Sequence, residues 1–278
     1  GDHRDLHLSL RRQRQMCIRD SNSSFGYVAG GYSFPASADV TSIDRIDFNN
    51  DTATSLARGP LSAARKYAAA TGSSSFGYFG GGNSPTVSTV DRLDYSSDTS
   101  TASPKGPLTV ARNRLAATGN QSFGYFAGGW VYMSTVDRID YSNDTATAAA
   151  KGFLHLELGR LTATGNGSFG YFGSGYPSRS TLSRVDYSND TATGLSRGPL
   201  ASPKERMGAT GNASFGYFTG GDPGPSPSGN SQVHRLDYTN DTNTAVFKGP
   251  MKHFRFCLLY TSDAADEGLG VDLGGRRI

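Results

Sequence analysis

The chain has 278 residues, with 27 Lys and Arg against 24 Asp and Glu for a formal net charge of +3. That excess is too small to imply an anionic partner such as nucleic acid, and no stretch is long and apolar enough to span a membrane as a helix. With 36 glycines and only 36% hydrophobic residues, the composition fits many short strands and tight turns and argues against a helical bundle.

The first residues have no relation to the rest of the chain. Residues 11–21 resemble the translation of a transposon adapter used in short-read sequencing, and residues 1–7 fit the flow-cell adapter that precedes it. At the other end, residues 257–266 and 270–278 fit the reverse complements. The resemblance implies that 1–21 and 257–278 are adapter-derived rather than native, and it predicts that neither end is an integral part of the fold. Both cysteines, Cys17 and Cys257, fall within these ends. Residues 22–256 then carry no cysteine, which excludes disulfide, thiolate and zinc-finger chemistry there. The basic run at 11–14, otherwise a nucleic-acid signal, is read in the same way.

From Phe25 onward a Phe-Gly-Tyr stretch recurs, at Phe25, Phe76, Phe123, Phe169 and Phe215, with spacings of 51, 47, 46 and 46 residues. A period of that size marks a solenoid or a propeller. The repeats divide as 22–72, 73–119, 120–165, 166–211 and 212–256. Around Phe123, a short first strand at 115–118 meets the hairpin signal Gly119-Asn120. A second strand at 123–127 closes on Gly128-Gly129, and a third runs over 135–141. Ser142, Asn143 and Asp144 then make a turn in which Asn and Asp can bond their own backbone. A fourth strand is predicted from Thr145 to about Ala149. A basic-Gly-Pro-Leu corner, as at Lys105, Gly106, Pro107 and Leu108, leads onward. Four short antiparallel strands per period describe a propeller blade.

These repeats resemble the kelch family, in proteins of metagenomic and marine viral type. The Gly doublet after an aromatic strand stands at Gly30-Gly31, Gly81-Gly82, Gly128-Gly129 and Gly220-Gly221, and becomes Ser174-Gly175 in the fourth repeat. The aromatic after the third strand stands at Phe48, Tyr95, Tyr141, Tyr187 and Tyr238. Arg65 and Arg112 match the Arg before the first strand. The family's fourth-strand Trp is missing; small residues such as Ala146 and Thr147 lie there. The resemblance implies an all-β, kelch-like β-propeller with about five four-stranded blades, a fragment of a larger one, because the family usually has six or seven. A second resemblance is to the integrin-like propeller, whose calcium loop Asp140, Asn143 and Asp144 only loosely suggest; a hydrogen-bonded hairpin turn is the favoured reading. The segment opens at a second strand and stops at Phe256, just before a first strand is due. The phase therefore predicts four complete blades and one without its innermost strand.

On the third strand, Arg45/Asp47, Arg92/Asp94, Arg138/Asp140, Arg184/Asp186 and Arg235/Asp237 sit two apart and share a face. They are expected to form a structural ion-pair series within or between blades, because a catalytic set would not recur in every blade. The preceding Asp, at Asp44, Asp91 and Asp137, gives way to Ser183 and His234. Residues 153–158 also depart from the pattern of the other repeats.

Three function classes stay open: a non-catalytic propeller binding protein or glycan, displayed outside a cell or on a virion; a carbohydrate-active enzyme or oxidase whose catalytic residues lie elsewhere; and a purely structural scaffold. No catalytic, cofactor or metal residues are assigned. His155, His234 and His253 show no ligand spacing, and the periodic carboxylates single out no acid/base pair. The Asn-x-Ser/Thr triplets at Asn50, Asn143, Asn189 and Asn240 coincide with the turn. Candidate recognition residues are Tyr32, Trp130, Tyr132 and Tyr176, in the second-to-third-strand loops where the repeats differ most. Exposed aromatics there suit glycans and protein hot spots.

Overall fold

A computed structural model describes residues 18–33, 36–130, 132–223 and 230–252, with the backbone alone for 18–21. The ends read as adapter, apart from 18–21, and with them Cys17, Cys257 and His253, lie outside the described residues.

Local side-chain bonds set the hairpins. In the first turn of a blade, Asn120 Oδ1 accepts from the Ser122 and Phe123 amides at 2.9 and 3.0 Å. Asn22, Asn166 and Asn212 do the same, and Ser73 Oγ stands in for Asn in the second blade. At the far end of the third strand, Asp94, Asp140, Asp186 and Asp237 each cap a single 3-10 turn by accepting an amide two residues on.

The hairpins build five four-stranded antiparallel sheets, each with its strands in chain order. The first blade is β1 (Ile18–Ser21), β2 (Phe25–Ala29), β5 (Ile43–Asp47) and β6 (Leu56–Arg58), with a small ribbon of β3 (Tyr32–Ser33) and β4 (Ala38–Asp39) between β2 and β5. The second is β7 (Ala69–Gly72), β8 (Phe76–Gly80), β9 (Val90–Asp94) and β10 (Ser103–Lys105). The third is β11 (Ala116–Gly119), β12 (Phe123–Ala127), β13 (Val136–Asp140) and β14 (Ala149–Ala150). The fourth is β15 (Thr162–Gly165), β16 (Phe169–Gly173), β17 (Leu182–Asp186) and β18 (Leu195–Arg197). The fifth is β19 (Gly208–Gly211), β20 (Phe215–Thr219), β21 (Val233–Asp237) and β22 (Val246–Lys248). The sheets stand in a ring with their first strands innermost: the chain is a five-bladed, all-β propeller.

Two expectations are corrected. Residues 18–21, taken as outside the fold, are the inner strand of the first blade, so all five blades have four strands. Ile18, Arg19, Asp20 and Ser21 pair with Ala29, Val28, Tyr27 and Gly26, in the register that Ala69–Gly72 keeps against Gly80–Gly77. That slot asks for backbone hydrogen bonds along β2, which an extended segment supplies whatever its side chains. The fourth strand of the third blade begins at Ala149, later than predicted, because the 3-10 turn and the residues after it lean back on the preceding blade. Gly106 N donates to Asp144 O and Ala148 N to Pro107 O.

Blades stack face to face, so both sides of the second strand are covered. Tyr78 and Phe79 are both buried, as are Tyr125 and Phe126, and Tyr171 and Phe172. Phe126 lies over Gly80 of the preceding blade, where a Cβ would come within 2.6 Å of its ring. Each such buried ring contributes about 2–3 kcal/mol. One joint recurs four times. The second-strand Tyr stacks on the aromatic after the third strand of the next blade: Tyr27 on Tyr95, Tyr78 on Tyr141, Tyr125 on Tyr187, and Tyr171 on Tyr238, at 4.5–4.9 Å. Its hydroxyl donates to the turn Asp of that blade, Asp98, Asp144, Asp190 or Asp241, at 2.8–3.0 Å.

The same carboxylates receive the third-strand arginines. Arg45 meets Asp98, Arg92 meets Asp144, Arg138 meets Asp190 and Arg184 meets Asp241, at 2.7–2.9 Å. The pairing with the Asp two residues on is therefore not the one made. Asp94, Asp140, Asp186 and Asp237 are occupied in capping, while each Arg crosses to the next blade with its guanidinium over the Phe that opens the second strand. A second basic residue, Arg58, Lys105, Lys151 or Arg197, completes each site. Asp144 is thus filled by Tyr78, Arg92 and Lys105.

Candidate functional site

The candidate surface begins with an unusual backbone position. Just before the inner strand, Tyr67, Arg114, Arg160 and Arg206 adopt left-handed φ values of 61, 56, 55 and 57°, uncommon for residues with a side chain. Each amide after the first donates to its counterpart in the blade before: Arg114 to Tyr67 O at 2.8 Å, Arg160 to Arg114 O at 2.9 Å and Arg206 to Arg160 O at 3.3 Å. The bonds run from blade to blade around the axis, and they bring these four side chains to the face that carries the second-to-third-strand loops.

Those loops are fastened to the same links. Trp130 N donates to Asn113 O at 2.7 Å, and Tyr176 and Gly159 exchange both backbone bonds at 2.6 and 3.2 Å. Isolated bridges join Lys66 with Asn83, Met133 with Leu158, Arg179 with Lys204 and Glu205 with Asp222. Each of these loops is therefore stapled to the link entering its own blade, through Asn83, Trp130, Tyr176 or Asp222, and two of them also to the link entering the next, through Met133 and Arg179, so that the aromatic side chains are held beside the ring of left-handed residues.

Three of the four candidate aromatics meet. Trp130 and Tyr132 have ring centroids 6.2 Å apart, Trp130 and Tyr176 6.3 Å, and Tyr132 and Tyr176 stack at 5.7 Å. All three remain exposed, at 36, 41 and 38%. Arg160 lies over both Trp130 and Tyr176, at 4.7 and 5.2 Å, and Arg114 lies over Trp130 and Tyr67, at 4.5 and 4.4 Å. Tyr32 does not join the cluster; its ring neighbours Lys66 at 5.0 Å, which also faces Tyr67. The result is a run of alternating rings and cations, Tyr32, Lys66, Tyr67, Arg114, Trp130, Arg160 and Tyr176, with cation–π contacts throughout.

Charges along this run are not equally compensated. Lys66 pairs with Asp39 at 3.0 Å. Arg160 donates to both oxygens of Glu205 at 3.1 Å, and Arg206 meets Asp222 at 3.3 Å. Arg114 has no carboxylate partner among the described residues. Partial desolvation within the cluster and the neighbouring Tyr176 raise the Tyr132 hydroxyl above its ordinary pKa.

Beneath this surface, the position before each link explains an irregularity. Arg65 meets Asp91 at 2.8 Å and Arg112 meets Asp137 at 2.7 Å, in ion pairs almost wholly removed from solvent. Ser62 and Thr109 complete the carboxylates through amide and hydroxyl. In the fourth blade, Leu158 replaces the Arg and Ser183 the Asp, with the His155 amide and ring both directed to the serine oxygen. In the fifth, Lys204 and His234 take these places. The departures in 153–158 and at Ser183 are therefore two sides of one exchange.

Sequence reasoning missed Tyr67, Arg114 and Arg160. The signal was an Arg immediately before Leu115, Leu161 and Met207. It passed unnoticed because the matching residue in the second repeat is Tyr67. Among the described residues, no group of three or more His, Cys, Asp or Glu could hold a metal ion. No protein-family model matches the chain, and no curated protein matches it either.

Proposed function

We propose that this propeller is a non-catalytic binding module of the kelch type that takes a glycan on the surface formed by Trp130, Tyr132 and Tyr176. The kelch reading is supported by the glycine doublets, which hold left-handed φ values at 62 and 106° for Gly30 and Gly31 and at 67 and 144° for Gly128 and Gly129. It is further supported by the stacked aromatic after the third strand in four of the five blades.

One observation carries the binding reading. Three large rings from two separate loops converge within 6.3 Å while each stays more than a third exposed. Rings that served only the fold would be covered, as Tyr78 and Tyr125 are. Stacked faces with hydroxyl and indole edges suit a sugar ring, which offers an apolar face and polar rim of its own. Backbone staples and the arginines behind them keep the rings placed in advance, which lowers the ordering cost of binding. The test is Trp130→Ala combined with Tyr132→Ala on a glycan array. The double variant should lose the array signal and keep the melting temperature, because neither ring contributes to a blade core. Retained signal would sink the reading.

A further inference from the structure

We infer that Arg114 makes this surface selective for acidic glycans by taking a sugar carboxylate beside Trp130. The inference rests on the glycan reading above and adds the chemical class of the ligand.

Arg114 is held at both its backbone and its side chain. Its backbone is fixed in the left-handed region between Tyr67 O, which receives its amide, and the Arg160 amide, which its own carbonyl receives. Its guanidinium is then held between two rings, 4.4 Å from the Tyr67 centroid and 4.5 Å from the Trp130 centroid. Rings on its faces leave the five N–H donors at its edge. The equivalent positions show what such a group ordinarily does here. Arg160, one blade on, spends its edge on both oxygens of Glu205, and Arg206 on Asp222. Arg114 has the same posture and no carboxylate among the described residues. Next to it, Asn113 is turned away to Thr86.

The equivalence defines the missing partner. A planar guanidinium oriented by stacking favours two parallel bonds to a carboxylate. Arg160 spends one terminal nitrogen on both oxygens of a residue of this chain, whereas Arg114 has its edge to offer a ligand. The offered edge adjoins Trp130, so a uronic acid stacked on the indole would bring its carboxylate to the guanidinium. Tyr132 and Tyr176 lie beside Trp130, at 6.2 and 6.3 Å, and would carry the neighbouring sugar.

Trp130 is the only tryptophan, so its fluorescence reports the site directly. The full chain is titrated with tetragalacturonate, with its methyl ester and with a tetrasaccharide that carries sulfate esters and no carboxylate. The acid should bind about tenfold more tightly than the ester, the value of one bond to a charged group, and the gap should narrow as salt is raised. Arg114→Gln should bind acid and ester equally, so that the acid-to-ester ratio falls to about one whatever the change in overall affinity. Arg114→Lys, which keeps the charge and loses the fork, should fall between. Equal binding of acid and ester by the unaltered protein would overturn the inference and leave the glycan reading standing. So would a preference for sulfate, or selectivity that survives in Arg114→Gln. Failure to bind any of the three would overturn both.

Discussion

The second and third blades and the fourth and fifth place different chemistry in one and the same slot. In the former an arginine and an aspartate are sealed together, Arg112 and Asp137 having no exposed side-chain surface at all. In the fourth the slot holds Leu158 and Ser183, and in the fifth Lys204 and His234. Blade geometry does not change with the contents: β13, β17 and β21 pair with their neighbours in matching register. The difference teaches that the slot requires matched partners rather than charge. A buried ion pair gives little net stability over a well-packed neutral pair, but half of one is costly.

Breaking one half should have the largest effect. Arg112→Leu leaves Asp137 buried with only Thr109 to satisfy it, and is expected to cost roughly 3–5 kcal/mol. Adding Asp137→Ser copies the fourth blade's solution and should recover most of that loss. Chemical denaturation of the two single variants and the double gives the coupling directly. A double variant no more stable than Arg112→Leu alone would show that the slot depends on charge after all.

The fifth blade sharpens the comparison through pH. His234 Nδ1 accepts the Ala201 amide at 3.1 Å, so its proton sits on Nε2, which faces Lys204 Nζ at 3.1 Å. A protonated amine there sets donor against donor. Burial lowers Lys204 from 10.5 to about 8, and burial together with the Lys204 charge lowers His234 from 6.5 to about 4. Both folded values lie below the unfolded ones, so on acidification the unfolded chain takes up each proton first. Stability should therefore fall as pH drops from 10.5 towards 8, and again from 6.5 towards 4, each step on the order of 3 kcal/mol at most. Tyr27, Tyr78, Tyr125 and Tyr171 hold their protons above the ordinary tyrosine range. The measurement is therefore the difference between the unaltered protein and Lys204→Met. That difference should grow as pH falls through the upper window. A difference independent of pH would mean that Lys204 keeps its proton in the fold.

How much of the molecule was legible in the sequence depends on what each position needs. The second strand, its glycine doublet and the aromatic after the third strand were legible because every blade needs a ring, a bare backbone and a stacking partner at fixed spacing. The partner of the third-strand Arg was not. Strand alternation places Asp47 on the same face as Arg45, whereas the carboxylate actually used, Asp98, stands 53 residues away in a turn whose own needs seemed to explain it. Residues 18–21 were misjudged because an inner strand is selected by backbone pairing, which leaves little mark on side chains. At the surface, variable loops pointed to Trp130, Tyr132 and Tyr176, and these three rings do converge. The arginines that fix them were hidden, since they act through a left-handed backbone and a neighbouring blade.

The smallest effects belong to the joints, where four blades can be set against the fifth. Arg138 is about a quarter exposed, and Asp190 keeps Tyr125 and Lys151 when it is removed. Arg138→Ala should therefore cost about 1–2 kcal/mol, the lower part of the range for one bond to a charged group because the Arg is partly exposed, and well short of that for a sealed pair. Arg235 is its equivalent in the last blade and lies over Phe215 in the same way. Among the described residues it meets no carboxylate of another blade, and Asp51, the first blade's counterpart of Asp190, is exposed. Arg235→Ala should then change stability by no more than about 0.5 kcal/mol, as for an ordinary surface residue. The two variants differ only in whether a carboxylate of the next blade is present, so thermal unfolding of both isolates the joint from the stacking contact they share. Equal losses would assign the stability to the ring beneath the guanidinium and remove Asp190 from the account.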